Sequence, residues 1–167
     1  MRTITRTAAA LAVAAGVALA PAGIANAAPA GTPAPTACSP ENVHSTIQQG
    51  DSSAGHRHYT VVMTADPGTT PCRLNGWPTT VGASLDGVPR DVPYPGHNDH
   101  QASPVVFGPG LPAQFDVQVA NTGDPVPADT LEFTASEDYT SIPGRFVATG
   151  AFDLGGDIQV SSIHSAS

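Results

Sequence analysis

One stretch decides how this chain folds: Thr69-Thr70-Pro71-Cys72-Arg73-Leu74-Asn75-Gly76-Trp77-Pro78. It contains the second of two cysteines and the only tryptophan, and it follows the clearest strand pattern in the chain. The Gly and Pro at its end predict a turn there. The other segments can be placed relative to it, with a cysteine upstream as its bonding partner and alternating segments on both sides.

The first 27 residues have the three parts of a secretory signal peptide. Two arginines supply positive charge, residues 8–20 form an apolar run, and Ala25-Asn26-Ala27 is a small-x-small cleavage site. This pattern predicts cleavage between Ala27 and Ala28 and a secreted protein. The apolar run is shorter than the roughly 20 residues that a spanning helix needs, and no second run follows, so we expect no membrane anchor.

The chain is acidic, with a net charge of −8 at pH 7 when histidine is neutral. All fourteen Asp and Glu residues follow the predicted cleavage site but only four arginines do, which leaves the processed chain at −10. A surface this negative repels phosphate backbones and anionic lipids. We therefore expect neither a nucleic acid nor a membrane surface as a partner.

The two cysteines of an exported chain are expected to pair with each other. A Cys38–Cys72 disulfide would close a loop of about 35 residues, for which the chain-entropy model gives a stabilisation of about 4 kcal/mol. Domains are typically stable by about 5–15 kcal/mol, so this bond would be a large contribution. The cysteines do not form a C-x-x-C pair, which favours a structural bond over a redox site.

Residues 28–37 consist of Ala, Pro, Gly and Thr, and they predict a flexible leader before a single domain at residues 38–167. Within the domain, short segments that alternate or are rich in β-branched residues are separated by Gly, Pro, Asp and Asn. Asp86-Gly87 predicts a tight hairpin. The predicted strands are residues 43–49, 57–65, 79–85, 88–92, 104–107, 113–120, 130–136, 145–149 and 157–163.

No stretch has a helical apolar period long enough to predict a helix. Alternating strands leave each sheet apolar on one face, and two such faces must be buried against each other. The sequence therefore predicts an all-β fold, an antiparallel two-sheet sandwich of about eight or nine short strands that is immunoglobulin-like in general architecture. The disulfide would fasten the start of this domain to a loop at a strand end.

The layout from Cys38 onward resembles a known family. A strand of the type His58-Tyr59-Thr60-Val61-Val62-Met63 precedes the Cys72-Arg73-Leu74-Asn75-Gly76-Trp77-Pro78 segment, and Pro109-Gly110-Leu111-Pro112-Ala113 follows later. These segments match the Cys-x-Leu-x-Gly-aromatic-Pro and Pro-Gly-x-x-Ala signature of the actinobacterial exported domain of unknown function 4232. The resemblance covers residues 38–163 and implies the fold and export; the family has no agreed biochemical activity.

The chain departs from this family in one respect. Many members carry a second cysteine pair in the C-terminal half, whereas residues 122–129 and 147–151 contain no cysteine here. The resemblance therefore supports a Cys38–Cys72 bond and leaves the last strands without a covalent tie.

The histidines suggest an alternative function as an extracellular Cu or Zn binder. His56 and His58 would project from the same face of a strand, as a metal site requires. His97 and His100 add two imidazoles in a polar loop, and together the four rings could ligate Cu(II) or Zn(II). Nothing in the sequence shows that the two segments meet, and histidines that are merely solvated in loops account for the same pattern.

Catalysis has no clear motif. Neither G-x-S-x-G nor H-E-x-x-H occurs, and paired cysteines leave no thiol for nucleophilic attack. A carboxylate pair that meets only in the fold would make the chain a hydrolase with an unrecognised site, which is a second alternative. We predict no enzyme activity, no catalytic residue and no cofactor.

The aromatic residues leave two interpretations open. Trp77 and Tyr94 could form a platform for a ligand such as a sugar, or Trp77 could cover the edge of the core beside the disulfide, which its position between Gly76 and Pro78 favours. Taken together, the sequence predicts a monomeric, secreted, non-enzymatic binding or structural module of the cell envelope or extracellular space. Its partner would be a protein or an envelope polymer, contacted by loops at residues 93–103 and 121–129.

Overall fold

The computed structural model describes residues 33–53, 55–91, 96–98, 101–122 and 124–166. The predicted signal peptide at residues 1–27, the Ala27–Ala28 cleavage bond and residues 28–32 of the predicted leader lie outside this part of the chain. The described residues belong to one unit, Pro33–Ser167. None of them forms a helix that could cross a lipid bilayer.

The described chain is built from strands, with one 3₁₀ turn at Pro40–Asn42. The all-β prediction is confirmed. The strands are β1 Val43–Gln49, β2 His56–Ala65, β3 Cys72–Leu85, β4 Val88–Arg90, β5 Gly96–His97, β6 Val105–Phe107, β7 Ala113–Ala120, β8 Val126–Glu137, β9 Thr140–Ser141, β10 Phe146–Leu154, β11 Ile158–Val160 and β12 His164–Ser165.

The period-2 pattern of the sequence becomes an inner and an outer face. In β7 the residues at odd positions are buried, from Ala113 and Phe115 to Val119, and those between them are partly exposed. β2 and β8 alternate in the same way over most of their length. Each apolar face is therefore directed into one common core.

The strands form one mixed sheet in the order β4-β3-β8-β10-β1-β2-β7-β11-β5, with β6, β9 and β12 added to β3, β8 and β7. The prediction of an antiparallel two-sheet sandwich of eight or nine strands was wrong. Two groups of antiparallel strands do exist, but β1 pairs parallel with β10 through Ser45–Ala148 and Thr46–Thr149 and joins them. Alternation identifies which face of a strand is buried, but it does not identify the strand's neighbours.

The sheet curls around its own apolar face. Phe115 of β7 and Phe133 of β8 are four strands apart in the sheet order, yet their ring centroids lie 4.9 Å apart at an interplanar angle of 72°. Phe133 also stacks on Phe146 at 5.4 Å. At one corner the Ile163 N–H, just before β12, donates a hydrogen bond to the Gly76 carbonyl of β3. The core therefore lies inside the curl.

The stretch around Cys72 and Trp77 lies within β3, the longest strand at 14 residues. The sequence predicted a turn at its end and a new strand from residue 79, whereas the structure continues the strand through two irregularities in its pairing with β8. The structure contains the predicted Cys38–Cys72 disulfide, with Cα atoms 5.9 Å apart. Backbone bonds to Thr70 begin at Pro35, so ordered pairing starts three residues before Cys38.

Candidate binding site

Trp77 lies at an interruption of the β3–β8 pairing. The register is regular up to Asn75, which pairs with Ser136, and resumes at Thr79, which pairs with Thr134. Gly76, inside the interruption, has a φ of 81°, a conformation that glycine adopts without steric cost. Such an irregularity re-aims a side chain out of the regular pattern of a strand, and Trp77 is half-buried there.

His97 packs flat against this tryptophan. The two ring centroids are 4.6 Å apart and the rings are within 7° of parallel. His97 belongs to β5, which pairs with β11, and the neighbouring Asn98 N–H donates to the Val160 carbonyl. Because β3 lies near one end of the strand order and β5 at the other, this stack joins the two ends of the curled sheet.

Tyr139 lines the same surface cleft as these rings and lies on the turn between β8 and β9. Glu137 pairs with Thr140, so the turn has two central residues, Asp138 and Tyr139, with φ values of 45° and 66°. Two positive φ values define the mirror-image hairpin turn that Asn-Gly usually occupies. The Tyr139 residue is 83% exposed.

The turn that carries Tyr139 is fastened to β3. The Tyr139 N–H donates a 3.0 Å hydrogen bond to Oδ1 of Asn75. Asn75 is only 2% exposed, so its amide is a buried polar group with a defined partner. The Asp138 N–H also donates to the Arg73 carbonyl at 3.4 Å. The exposed tyrosine therefore projects from a backbone that is held in place.

Together these residues line a cleft of about 220 Å³ on the surface. Among the described residues that line it, none is Asp, Glu, Lys or Arg, although the chain has fourteen acidic residues. The side chains of its lining residues are an indole, a phenol, an imidazole, an amide and two aliphatic hydroxyl groups. The lining residues are Asn75, Gly76, Trp77, Thr79, His97, Ser136 and Tyr139.

Other clefts are of similar size but differ in chemistry. In one of about 300 Å³, Arg57 binds Asp153 at 3.0 Å and Asn121 at 2.9 Å, so its cation is already paired. A second of about 280 Å³ lies beside the disulfide, and a third of about 290 Å³ contains Arg90, Arg145 and Glu132. None of these three combines exposed aromatic surface with neutral polar groups, so the cleft at Trp77, the aromatic cleft, is the best candidate site.

The predicted metal ligands do not come together among the described residues. His56 and His58 are on β2, His97 is on β5, and β7 and β11 lie between these strands. Neighbouring strands are about 4.8 Å apart, which separates β2 from β5 by roughly 14 Å along the sheet. His58 Nε2 is 2.7 Å from Ser53 Oγ, and His97 is stacked on Trp77. His100 lies outside the described residues.

Within the described residues, one group of three potential metal ligands has its atoms within 4.8 Å of one another: Cys38, Cys72 and Glu137. The two sulfur atoms are bonded to each other and are not available as thiolates. This group is therefore the disulfide with a neighbouring carboxylate.

Among the described residues, two carboxyl groups have a lowered pKa, Asp129 in β8 and Glu41 in the 3₁₀ turn. Hydrogen bonds from the Asp86 backbone N–H and the Thr130 hydroxyl lower the pKa of Asp129. A hydrogen bond from the Ser39 hydroxyl lowers the pKa of Glu41. Neither residue lines the aromatic cleft, so these shifts stabilise local structure and do not prepare a group for the site.

The sequence anticipated part of this site. Trp77 was recognised as a possible platform residue, and residues 93–103, which contain His97, were predicted as a contact loop. Tyr94, the predicted aromatic partner, lies outside the described residues. The second predicted contact loop, residues 121–129, is shorter than expected because β8 begins at Val126.

Tyr139 and Asn75 were not predicted as site residues. The available signal for Tyr139 was an aromatic residue in the polar segment Glu137-Asp138-Tyr139-Thr140 between two strands, because connecting segments often carry binding residues.

Comparison with known proteins identifies a family and no individual relative. A family model described as a domain of unknown function, DUF4232, matches residues 38–164. No curated protein and no solved structure matches the chain at a significant level.

Proposed function

The chain belongs to the DUF4232 family over residues 38–164, and on that premise we propose that it is a secreted, non-enzymatic domain that binds a protein or polymer of the cell envelope. The aromatic cleft is its binding site. The observation that carries this proposal is Tyr139, which is 83% exposed, lines the same cleft as Trp77 and His97, and has its backbone N–H bonded to the buried side chain of Asn75.

The composition of the cleft supports binding over catalysis. Ligand sites combine apolar and aromatic walls with a few fixed polar groups that set orientation, and the aromatic cleft has this composition. A general acid, a general base or a nucleophile is supplied most often by an imidazole, a carboxylate, a thiol or an activated hydroxyl. Among the described lining residues there is no carboxylate and no thiol, and the one imidazole, His97, is stacked flat on Trp77.

Export is supported by two features of the chain. Residues 1–27 have the pattern of a signal peptide, and the disulfide fits an oxidising compartment. An acidic surface with no lysine keeps such a domain away from anionic polymers and lipids. We therefore place the ligand outside the cell and expect a monomer.

Affinity capture tests the proposal. The secreted chain is immobilised and exposed to a detergent-free envelope extract of the producing cells, and bound protein and carbohydrate are both quantified. Tyr139→Ala removes the exposed ring, and Val147→Ala is the matched control because Val147 is a 46% exposed apolar residue on β10 outside the cleft. We expect capture by the wild type and by Val147→Ala but not by Tyr139→Ala. Equal capture by all three proteins, or by none, contradicts the proposal.

A further inference from the structure

Resting on the proposed function, we propose that the aromatic cleft binds one sugar ring of a neutral polysaccharide. A pyranose ring is amphipathic, with C–H groups on its faces and hydroxyl groups around its edge. The cleft offers the complementary groups, namely aromatic surface from Trp77 and Tyr139 and hydroxyl groups from Thr79 and Ser136. Aromatic side chains that carry a polar handle suit such half-apolar, half-wet contacts.

The charge of the cleft favours a neutral ligand. The whole chain has a net charge of −8, but none of the described residues that line this cleft is Asp, Glu, Lys or Arg. A phosphate or carboxylate ligand would meet the long-range repulsion of the acidic surface without a cation to bind it. A basic peptide would find no carboxylate among the described lining residues. A neutral, hydroxyl-rich ring avoids this repulsion and needs no charged partner.

The size and position of the cleft favour one ring within a longer chain. Its volume of about 220 Å³ is below the range of about 300–1,000 Å³ that is usual for drug-sized ligands. Tyr139 is 83% exposed, so its ring extends beyond the lining into solvent. One sugar unit can therefore occupy the cleft while its neighbours in the polymer remain outside.

The backbone around the cleft contains most of the non-glycine residues with positive φ in the described part of the chain. The described residues contain four non-glycine residues with positive φ, and three of them, Thr80, Asp138 and Tyr139, are at the cleft or next to one of its lining residues. Such conformations cluster at ligand sites, where the surrounding structure holds them in place. A rigid aromatic platform loses little entropy when a ligand stacks on it.

The single tryptophan of the chain provides a direct test, because its emission reports only on this cleft. The secreted chain is titrated with the neutral hexasaccharides cellohexaose, maltohexaose, xylohexaose and hexa-N-acetylchitohexaose, and separately with the anionic hexagalacturonate. We expect a saturable change in Trp77 fluorescence with at least one neutral hexasaccharide. We expect weaker binding of the anionic one, and equal affinity for both would contradict the charge argument.

Variants separate stacking from other effects. Tyr139→Ala should weaken binding by about tenfold or more, the order expected for loss of one aromatic contact. Tyr139→Phe keeps the ring and should retain most of the affinity, and Val147→Ala should retain all of it. No change in fluorescence with any neutral hexasaccharide, with correctly folded protein by circular dichroism, overturns the sugar assignment. If Tyr139-dependent capture of a protein is nevertheless observed, the proposed binding function stands; if it is not, both proposals fail.

Discussion

Tyr139 occupies a backbone conformation that glycine would adopt at lower cost. A left-handed φ costs an L-residue roughly 1–2 kcal/mol, and the exposed ring gains little burial in return because the residue is 83% exposed. An aromatic residue at such a position is explained if the ring contacts a ligand. At this residue, stability and binding are expected to oppose each other.

We therefore predict that Tyr139→Gly stabilises the domain and removes ligand binding. Glycine removes the steric cost of the positive φ, and this gain should be larger than the loss caused by the greater conformational entropy of glycine in the unfolded chain. The free energy of unfolding should therefore rise by about 0.5–1 kcal/mol. Urea denaturation measures this change. Tyr139→Ala is the matched control, since alanine keeps the strained φ and should not stabilise. A Tyr139→Gly protein less stable than Tyr139→Ala would contradict the argument.

Gly150 is required for a different reason, close approach of two strands. A Cβ atom at this position would lie 2.5 Å from the Ile47 carbonyl oxygen, and its φ is 151°. Gly150→Ala should therefore lower the free energy of unfolding by about 1–3 kcal/mol or more, the usual cost of overpacking. At Gly82 in β3, by contrast, an added Cβ atom would lie 3.9 Å from Arg145 Nη1, an ordinary contact distance. Gly82→Ala should therefore be neutral or stabilising by about 0.4–1 kcal/mol. Similar losses in both variants would refute the steric explanation.

Residue types alone determined some of these features and not others. The pairing of Cys38 with Cys72 followed from the number of cysteines and the expected compartment, and Asp86-Gly87 forms a two-residue turn with φ values of 49° and 75° as predicted. Tyr139 was missed because its turn has no glycine. Local turn chemistry cannot show that a distant buried amide will hold an unfavourable turn in place.

At the scale of elements, the β8–β9 turn depends on Asn75 of β3. Asn75→Ala removes the acceptor of the Tyr139 N–H and should lower the free energy of unfolding by about 1–3 kcal/mol, the cost of an unpaired buried group. It should also speed hydrogen exchange of the Tyr139 amide. Asn121→Ala is the control, because Asn121 is exposed and its side chain accepts a hydrogen bond from Arg57 Nε, outside the β8–β9 turn. An unchanged rate of hydrogen exchange at the Tyr139 amide in Asn75→Ala would show that the turn is stable without this hydrogen bond.

The β3–β4 turn is tied to β8 in a way that depends on pH. Asp129 accepts hydrogen bonds from the Asp86 N–H at 3.0 Å and from the Thr130 hydroxyl at 2.9 Å, which lower its pKa from the ordinary value of 3.8. A lowered pKa contributes stability that is complete above pH 3.8 and is lost as the pH falls through the folded-state pKa. Asp129→Asn should therefore have a lower thermal midpoint than the wild type at pH 7, and the difference should shrink in strong acid. A difference that does not change with pH would contradict the role of the charge.

The elements were predicted well where alternation was long enough to detect. β1 and β7 have the predicted bounds, and each of the nine predicted segments corresponds to a strand or part of one. The three missed strands, β5, β9 and β12, have two residues each. A period of two cannot be recognised in two residues, and such strands form because longer neighbours provide backbone partners.

At the scale of the whole molecule, one strand pairing, between β1 and β10, distinguishes the actual fold from the predicted one. The parallel β1–β10 pair merges two antiparallel groups into a single curled sheet, and the closed corner places His97 against Trp77. The aromatic cleft is therefore a product of the curl, because its residues come from β3, β5, β8 and the β8–β9 turn. A pattern read along the chain identifies each strand's faces but cannot bring these distant positions together.

The disulfide fixes the start of this arrangement. It joins residues 34 positions apart and connects the segment before β1 to the first residue of β3. Loop-closure entropy for that separation gives a stabilisation of about 4 kcal/mol.

Reduction, or the double substitution Cys38→Ala and Cys72→Ala, should lower the free energy of unfolding by about 2–5 kcal/mol. Urea denaturation of oxidised and reduced protein measures this loss. Since both cysteines are buried, the alanine variant also loses packing, and the reduced wild type isolates the effect of the bond itself. Coincident denaturation curves for oxidised and reduced wild type would show that β-sheet pairing alone holds this end of the domain.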